Sequence, residues 1–226
     1  METNVPKLPA HLSEYGRICL QALADAGLGE KISLGGALGL LHYLDYRPTH
    51  DVDAWWGTIT ERDRQEIIAT IEHALQPFGK VRTRAWGEVV SIELQEDAGK
   101  TFSFQIARRS AQLEPAGLMP GLGVLLDSFP DLVASKMVAL VERGTPRDFR
   151  DIYAICQAGL ITSDECWELW GKRQQMAGSD VDDRRARLAV ETHLERIIQH
   201  RPLDGIAHLE ERQQAQELRE WYQKEF

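Results

Sequence analysis

The chain has 226 residues, 43% of them hydrophobic, and its 26 Lys and Arg against 35 Asp and Glu give a net charge of −9 with a pI near 5.3. No apolar run approaches the roughly 18 residues that a membrane helix needs, so no membrane span and no membrane partner are expected. The acidic balance argues against a broad basic face for nucleic acid, so any polynucleotide contact has to be local or helped by metal.

The first ten residues, METNVPKLPA, hold no basic stretch followed by an apolar run, which predicts no signal peptide. Cys19, Cys156 and Cys166 form no CxxC pair and read as core thiols of a reducing compartment. The expectation is a cytoplasmic protein.

In chain order, residues 11–26 read as an amphipathic helix, with Leu12, Tyr15, Cys19, Ala22, Leu23 and Ala26 on one face and Gly27 and Gly29 as its stop. A short buried strand at 31–34 runs into Gly35-Gly36, and a helix is predicted over 37–44, ending at the Arg47-Pro48-Thr49 turn. Residues 50–56 alternate like a strand, with Asp51 and Asp53 on one side and Val52 on the other. Thr60 and Asp63 form a capping box for a helix over 61–75 that buries Ile67, Ile68, Ile71 and Leu75. Strands follow at 81–86, 89–94 and 101–107, with a hairpin turn at Asp97-Ala98-Gly99. The Pro- and Gly-rich stretch 108–123, which includes Pro120, reads as a loop and domain junction. Beyond residue 132 the chain reads as helical, with segments ending near Glu142, Ala158, Lys172 and Gln199 and a charged last helix from about 207. The domain expectation is an α/β half over 1–115 and a mainly helical half over 116–226.

One constellation carries chemistry. Two aspartates two apart on a strand project to the same face and suit Mg²⁺, which prefers carboxylate oxygens. A Gly-Gly turn between strand and helix lets backbone approach phosphates closely. Either feature alone is common; the ordered set of strand, Gly-Gly, helix, Arg-x-Thr and Asp-x-Asp is far more specific.

The segment 34–56 resembles the first motif of the AbiEii/AbiGii toxin nucleotidyltransferases, a bacterial branch of the DNA polymerase β superfamily. Gly35, Gly36, Arg47, Thr49, Asp51 and Asp53 stand at the motif positions. Residues 135–155 resemble the distal motif of the same family through Lys136, Ala139, Leu140, Arg143, Arg147, Asp148 and Asp151. The resemblance implies an α+β fold, a polymerase β-type mixed sheet with helices followed by a C-terminal helical domain. It implies Asp51 and Asp53 as ligands of Mg²⁺ or Mn²⁺, with Gly35, Gly36, Arg47, Thr49 and Arg143 about a nucleoside triphosphate. Lys136 would meet the triphosphate, and Asp148 or Asp151 would position or deprotonate the acceptor. The reaction implied is transfer of an NMP from an NTP to a hydroxyl, with RNA such as a tRNA end as acceptor. The protein would be the toxin of a toxin–antitoxin pair, with a cognate antitoxin as partner.

The residues of the second segment also have a plainer reading. Lys136, Leu140, Arg143 and Arg147 share a helix edge, Thr145-Pro146 interrupts the helix, and Asp148 suits the start of the next one, with Arg143 and Arg147 as ion-pair partners. Lys136 lies within the apolar run 132–141, where a buried ammonium needs an anionic partner.

Two positions depart from the family pattern. Ala37 replaces the hydroxyl residue after the glycines, and Gln105 stands where a third carboxylate is expected; Glu93 is a substitute or simply an outward strand residue. The alternatives are a catalytically silent fold acting as a binding or regulatory module, and transfer to a protein or small-molecule acceptor. His193 and His200 read as packing residues, and His50 adjoins Asp51 without a nameable partner. Trp55 and Trp56 read as packing residues, one of them available to stack on a base. Arg82, Arg84, Arg108 and Arg109 are either a small positive patch for an RNA end or solvated strand faces, and no histidine–carboxylate pair accompanies Cys156 or Cys166.

Overall fold

Ser13 opens the first helix, α1 (Glu14–Asp25), its hydroxyl accepting the Gly16 amide 3.1 Å away. Cys19, Leu20 and Leu23 are its buried face. Strand β1 (Ile32–Leu34) is buried at all three residues, and α2 (Gly36–Leu41) follows without a linker. Strand β2 (Val52–Trp56) alternates as expected: Val52, Ala54 and Trp56 are buried on one side, Asp53 and Trp55 half-buried on the other. The Thr60–Asp63 capping box is formed, and α3 (Glu61–Leu75) buries Ile67, Ile71 and Leu75 on its core face.

The computed structural model describes residues 5–226 apart from 11, 97, 98 and 120. His11, the Asp97-Ala98 part of the hairpin turn and Pro120 therefore lie outside the described residues. The chain divides into two compact units, residues 1–132 and 133–226.

The first unit is a mixed sheet of seven described strands, in the order β3-β4-β5-β2-β1-β7-β6. Strands β3 (Lys80–Trp86), β4 (Val89–Glu96) and β5 (Gly99–Ala107) form an antiparallel meander. Strand β5 then lies parallel to β2, and β2 lies antiparallel to β1. Two strands were not expected: β6 (Gly117–Met119) falls within the stretch read as loop, and β7 (Val124–Leu126) follows it and runs parallel to β1. Each is only three residues long, too short for alternation to stand out among Gly and Pro. The unit's core lies on one side of the sheet, where Leu34, Val52, Ala54, Ile92, Phe102, Phe104 and Ile106 meet α1 and α3.

In the second unit, α4 (Phe129–Glu142), which starts in the last residues of the first, leads to α5 (Pro146–Gln157), α6 (Ser163–Met176), α7 (Asp183–His200) and α8 (Leu209–Glu225). Capping boxes at Thr145–Asp148 and Thr162–Glu165 set the starts of α5 and α6. Tyr222 of α8 packs edge-on against Phe149 at 4.7 Å and donates its hydroxyl to the Phe149 carbonyl at 2.9 Å. The Sγ atoms of Cys156 and Cys166 are 3.9 Å apart and both thiols are free.

Candidate active site

Because β1 and β2 pair antiparallel, the Gly35-Gly36 turn leaving β1 lies beside the start of β2. The Gly35 amide donates to the Asp53 carbonyl at 2.9 Å. Gly36 has a φ of 58°, a left-handed conformation that costs an L side chain on the order of 1–2 kcal/mol. A Cβ there would lie 2.3 Å from the Asp53 carboxylate, and one at Gly35 would lie 2.4 Å from the Trp55 ring nitrogen. Both glycines are thus required by space, Gly36 by conformation as well. Ala37 follows, buried in α2.

Asp51 immediately precedes β2 and is 45% exposed; its Oδ1 accepts the Ser103 amide at 2.9 Å, and Lys100 approaches its Oδ2 at 3.9 Å. Asp53 lies opposite Gln105 in the β2–β5 register, so that amide stands directly beside the carboxylate. Glu93 lies one strand further out, opposite Ser103, and pairs with Arg84 at 3.6 Å. Arg47 and Thr49 lie in the turn between α2 and β2, Arg47 over the Tyr46 ring at 5.6 Å and Thr49 bridged to Leu12. The His50 carbonyl accepts the Ser13 hydroxyl at 3.0 Å.

This arrangement suits a divalent cation. The Asp53 carboxylate lies beside a glycine with no room for a Cβ, Asp51 stands two residues before it, and Mg²⁺ characteristically uses one or two carboxylates with substrate phosphates completing its shell. Gln105 can add a neutral carbonyl oxygen and no charge. Among the described residues no cluster of three or more His, Cys, Asp or Glu is placed to hold a metal. An alanine at position 36 is expected to cost about 1–3 kcal/mol of stability and to displace the Asp53 carboxylate. Thermal unfolding together with Mn²⁺ titration of Gly36→Ala checks both effects.

Sequence reading missed a brace behind the turn. Arg109 donates to Ser33 and, at 2.8 Å, to the fully buried Asp127, and its guanidinium lies 5.9 Å from the Trp55 ring centre. Burial pushes the Asp127 pKa up, partly offset by Arg109. Arg109 is therefore neither patch nor solvated face, and no local signal could reveal this, because β7, which delivers Asp127, carries no strand pattern of its own. Trp56 is the core tryptophan, its indole N–H donating to the Glu88 carbonyl at 3.1 Å. A cavity of about 800 Å³ opens at the other end of β1 and β2, lined by Ile32, Trp56, Arg64 and Arg108 among others and by none of the motif residues.

The distal motif lies in the second unit and is engaged within it. Lys136 pairs with Asp151 at 2.7 Å, both buried. Arg143 makes a two-pronged contact with Asp148, 2.9 Å on each arm, and Asp148 also accepts from the Thr145 amide and hydroxyl. Burial works to raise the Asp148 pKa, but the hydrogen bonds from Arg143 and Thr145 outweigh it and hold the group below its ordinary value. A lowered folded pKa means the contribution is present above the unfolded value and is lost as pH falls through the folded one. Asp148→Asn is thus expected to cost about 1–2 kcal/mol at neutral pH and to flatten the acid limb of stability. Urea midpoints measured from pH 7 downward report both changes.

Two solved structures from Helicobacter pylori share this fold. JHP933 superposes with a TM-score of 0.54 at 17% identity, covering 94% of this chain and 92% of that one. A second protein, described as a nucleotidyltransferase, gives 0.55 at 17% identity, covering 93% and 91%. The fold is thus that of the nucleotidyltransferases. No curated protein matches the chain in sequence. The sequence does match the family described as "Nucleotidyl transferase AbiEii toxin, Type IV TA system" over residues 18–225, and the chain belongs to that family of nucleotidyltransferase enzymes.

Proposed function

We propose that this enzyme moves a nucleoside monophosphate from an NTP to a hydroxyl of RNA, such as a tRNA end, with Asp51 and Asp53 holding Mg²⁺ or Mn²⁺. The observation that supports this best is the Gly36–Asp53 contact, in which a glycine with no room for a side chain faces one of the two strand carboxylates. In this reading the Gly35-Gly36 backbone receives the phosphates, and Arg47 and Thr49 shape the turn that carries the chain to Asp51. The bound metal would neutralise triphosphate charge and lower the pKa of the attacking hydroxyl. The Arg109–Asp127 pair holds the strand ends behind the glycines.

Lys136, Asp148, Asp151 and Arg143 are each engaged in an ion pair, and we assign them to holding the second unit together. Membership of a toxin–antitoxin family motivates the role of toxin, with a cognate antitoxin as partner. Gln105 beside Asp53 favours a second reading, a catalytically silent nucleotide-binding module, because it adds no third negative charge.

The test is incubation with each α-labelled NTP, Mg²⁺ or Mn²⁺ and total RNA, beside Asp51→Ala/Asp53→Ala. Label on RNA that EDTA and the variant both abolish supports the proposal. Label on protein or a small molecule keeps the chemistry and replaces the acceptor. Metal-dependent NTP binding with no transfer establishes the silent module.

A further inference from the structure

Residues opposite one another across paired strands share a sheet face, so the register can be followed from the carboxylates to the sheet edge. Asp53 stands opposite Gln105, Gln105 opposite Ser91, and Ser91 opposite Arg84. The neighbouring row runs from Arg82 through Glu93 to Ser103, whose amide donates to Asp51. Both candidate metal carboxylates thus lie in line with an arginine on edge strand β3, three strand spacings or about 14 Å away.

Strand β3 is unlike the rest of the chain. In a protein of net charge −9 it reads Lys-Val-Arg-Thr-Arg-Ala-Trp, and only Val81 is even partly withdrawn from solvent. Lys80, Arg82, Arg84 and Trp86 alternate with the core-facing residues and so project to the face that carries Asp53. Arg84 is 48% exposed despite its 3.6 Å approach to Glu93, and Trp86 is 53% exposed. Arginines interleaved with an exposed indole are what a single-stranded polynucleotide requires. The guanidiniums take phosphates, the ring takes a base, and neither contact depends on sequence.

We propose that the open face of β3 is the acceptor track: Arg82 and Arg84 hold the phosphodiester backbone of a single-stranded RNA end, and Trp86 stacks one of its bases. The row leads the 3′ hydroxyl toward Asp51 and Asp53. The track rests on the nucleotidyltransferase reading of that site and adds the residues that position the acceptor. It also accounts for how an acidic protein can take a polyanion, since β3 itself carries Lys80, Arg82 and Arg84 and no acidic residue.

The test is fluorescence anisotropy of a labelled single-stranded RNA oligonucleotide with a free 3′ hydroxyl, titrated with the full chain at several salt concentrations. Arg82→Ala/Arg84→Ala is expected to weaken binding about tenfold and to reduce the salt slope by about 1.4, the value for two lost phosphate contacts. Trp86→Ala should weaken it roughly fivefold with the slope unchanged. Asp53→Asn should bind as wild type does, which separates the track from the chemistry. In steady-state transfer, the arginine variant should raise the RNA KM and leave the NTP KM and kcat near wild type. Wild-type protein that does not bind the oligonucleotide, or arginine variants that bind it equally well, would overturn the track whether or not labelled NTP is transferred. Loss of transfer in Asp53→Asn with RNA binding intact supports both readings.

Discussion

Replacing Asp53 with Asn is expected to lower metal-dependent transfer on the order of a thousandfold, because about 4 kcal/mol of stabilisation at the triphosphate is lost. The substitution keeps the size and planarity of the side chain, so the β2–β5 register and the fit against Gly36 should survive. What disappears is half the negative charge at the site, and the adjacent Gln105 cannot make it up. The loss should therefore appear in kcat with both Mg²⁺ and Mn²⁺, while the unfolding midpoint stays near wild type. Asp51 is 45% exposed and already accepts from Ser103. Its conversion to Asn keeps an oxygen that can accept the Ser103 amide and removes only the charge. Wild-type activity in Asp53→Asn would remove that carboxylate from the chemistry.

The second large effect concerns stability. Lys136→Met should destabilise the protein by about 3–5 kcal/mol, because it removes the buried ammonium that pairs with the buried Asp151 carboxylate at 2.7 Å. Combining it with Asp151→Leu should recover most of that loss, since a buried ion pair exchanged for apolar side chains of similar volume is often neutral or stabilising. Urea unfolding of the two single variants and the double variant forms the required cycle. A duty for Lys136 at the triphosphate would show separately, as an NTP KM that the stable double variant fails to restore.

The sequence features that proved legible are those in which one short segment contains both halves of an interaction. Thr60 and Asp63 are three residues apart, and α3 begins where that spacing predicts. Alternation along 50–56 placed Asp53 on the face opposite Val52, although Asp51 falls just outside the strand. Asp148 was readable as a helix-start residue with Arg143 beside it, since all the partners lie within five residues. The illegible parts depend on distant pairing. Strand β7 exists because Leu125 and Leu126 find Ser33 and Leu34, and nothing local marks three residues after a Gly as a strand. The Arg109–Asp127 brace and the partner of Lys136 were hidden for the same reason: each joins residues whose proximity only the folded chain establishes. The Gly-Gly and Asp-x-Asp motif could be recognised from its order, but its close fit could not, because the contact of Gly36 with Asp53 is a fact of packing.

The sheet order also sets a timetable. During synthesis β1 and β2 emerge early and can pair at once, but the strand beside Asp53 comes from residues 99–107 and the one beside β1 from 124–126. At roughly 5–20 residues per second, the ribosome delivers β7 about 5–20 seconds after β1. Until β5 has been made, the two aspartates lie on an unpaired edge of β2, without Gln105 beside one or the Ser103 amide to hold the other. The first unit's sheet is therefore finished from its late-made strands, and the neighbours of the Gly-Gly turn and of Asp53 assemble in the second half of that unit's synthesis.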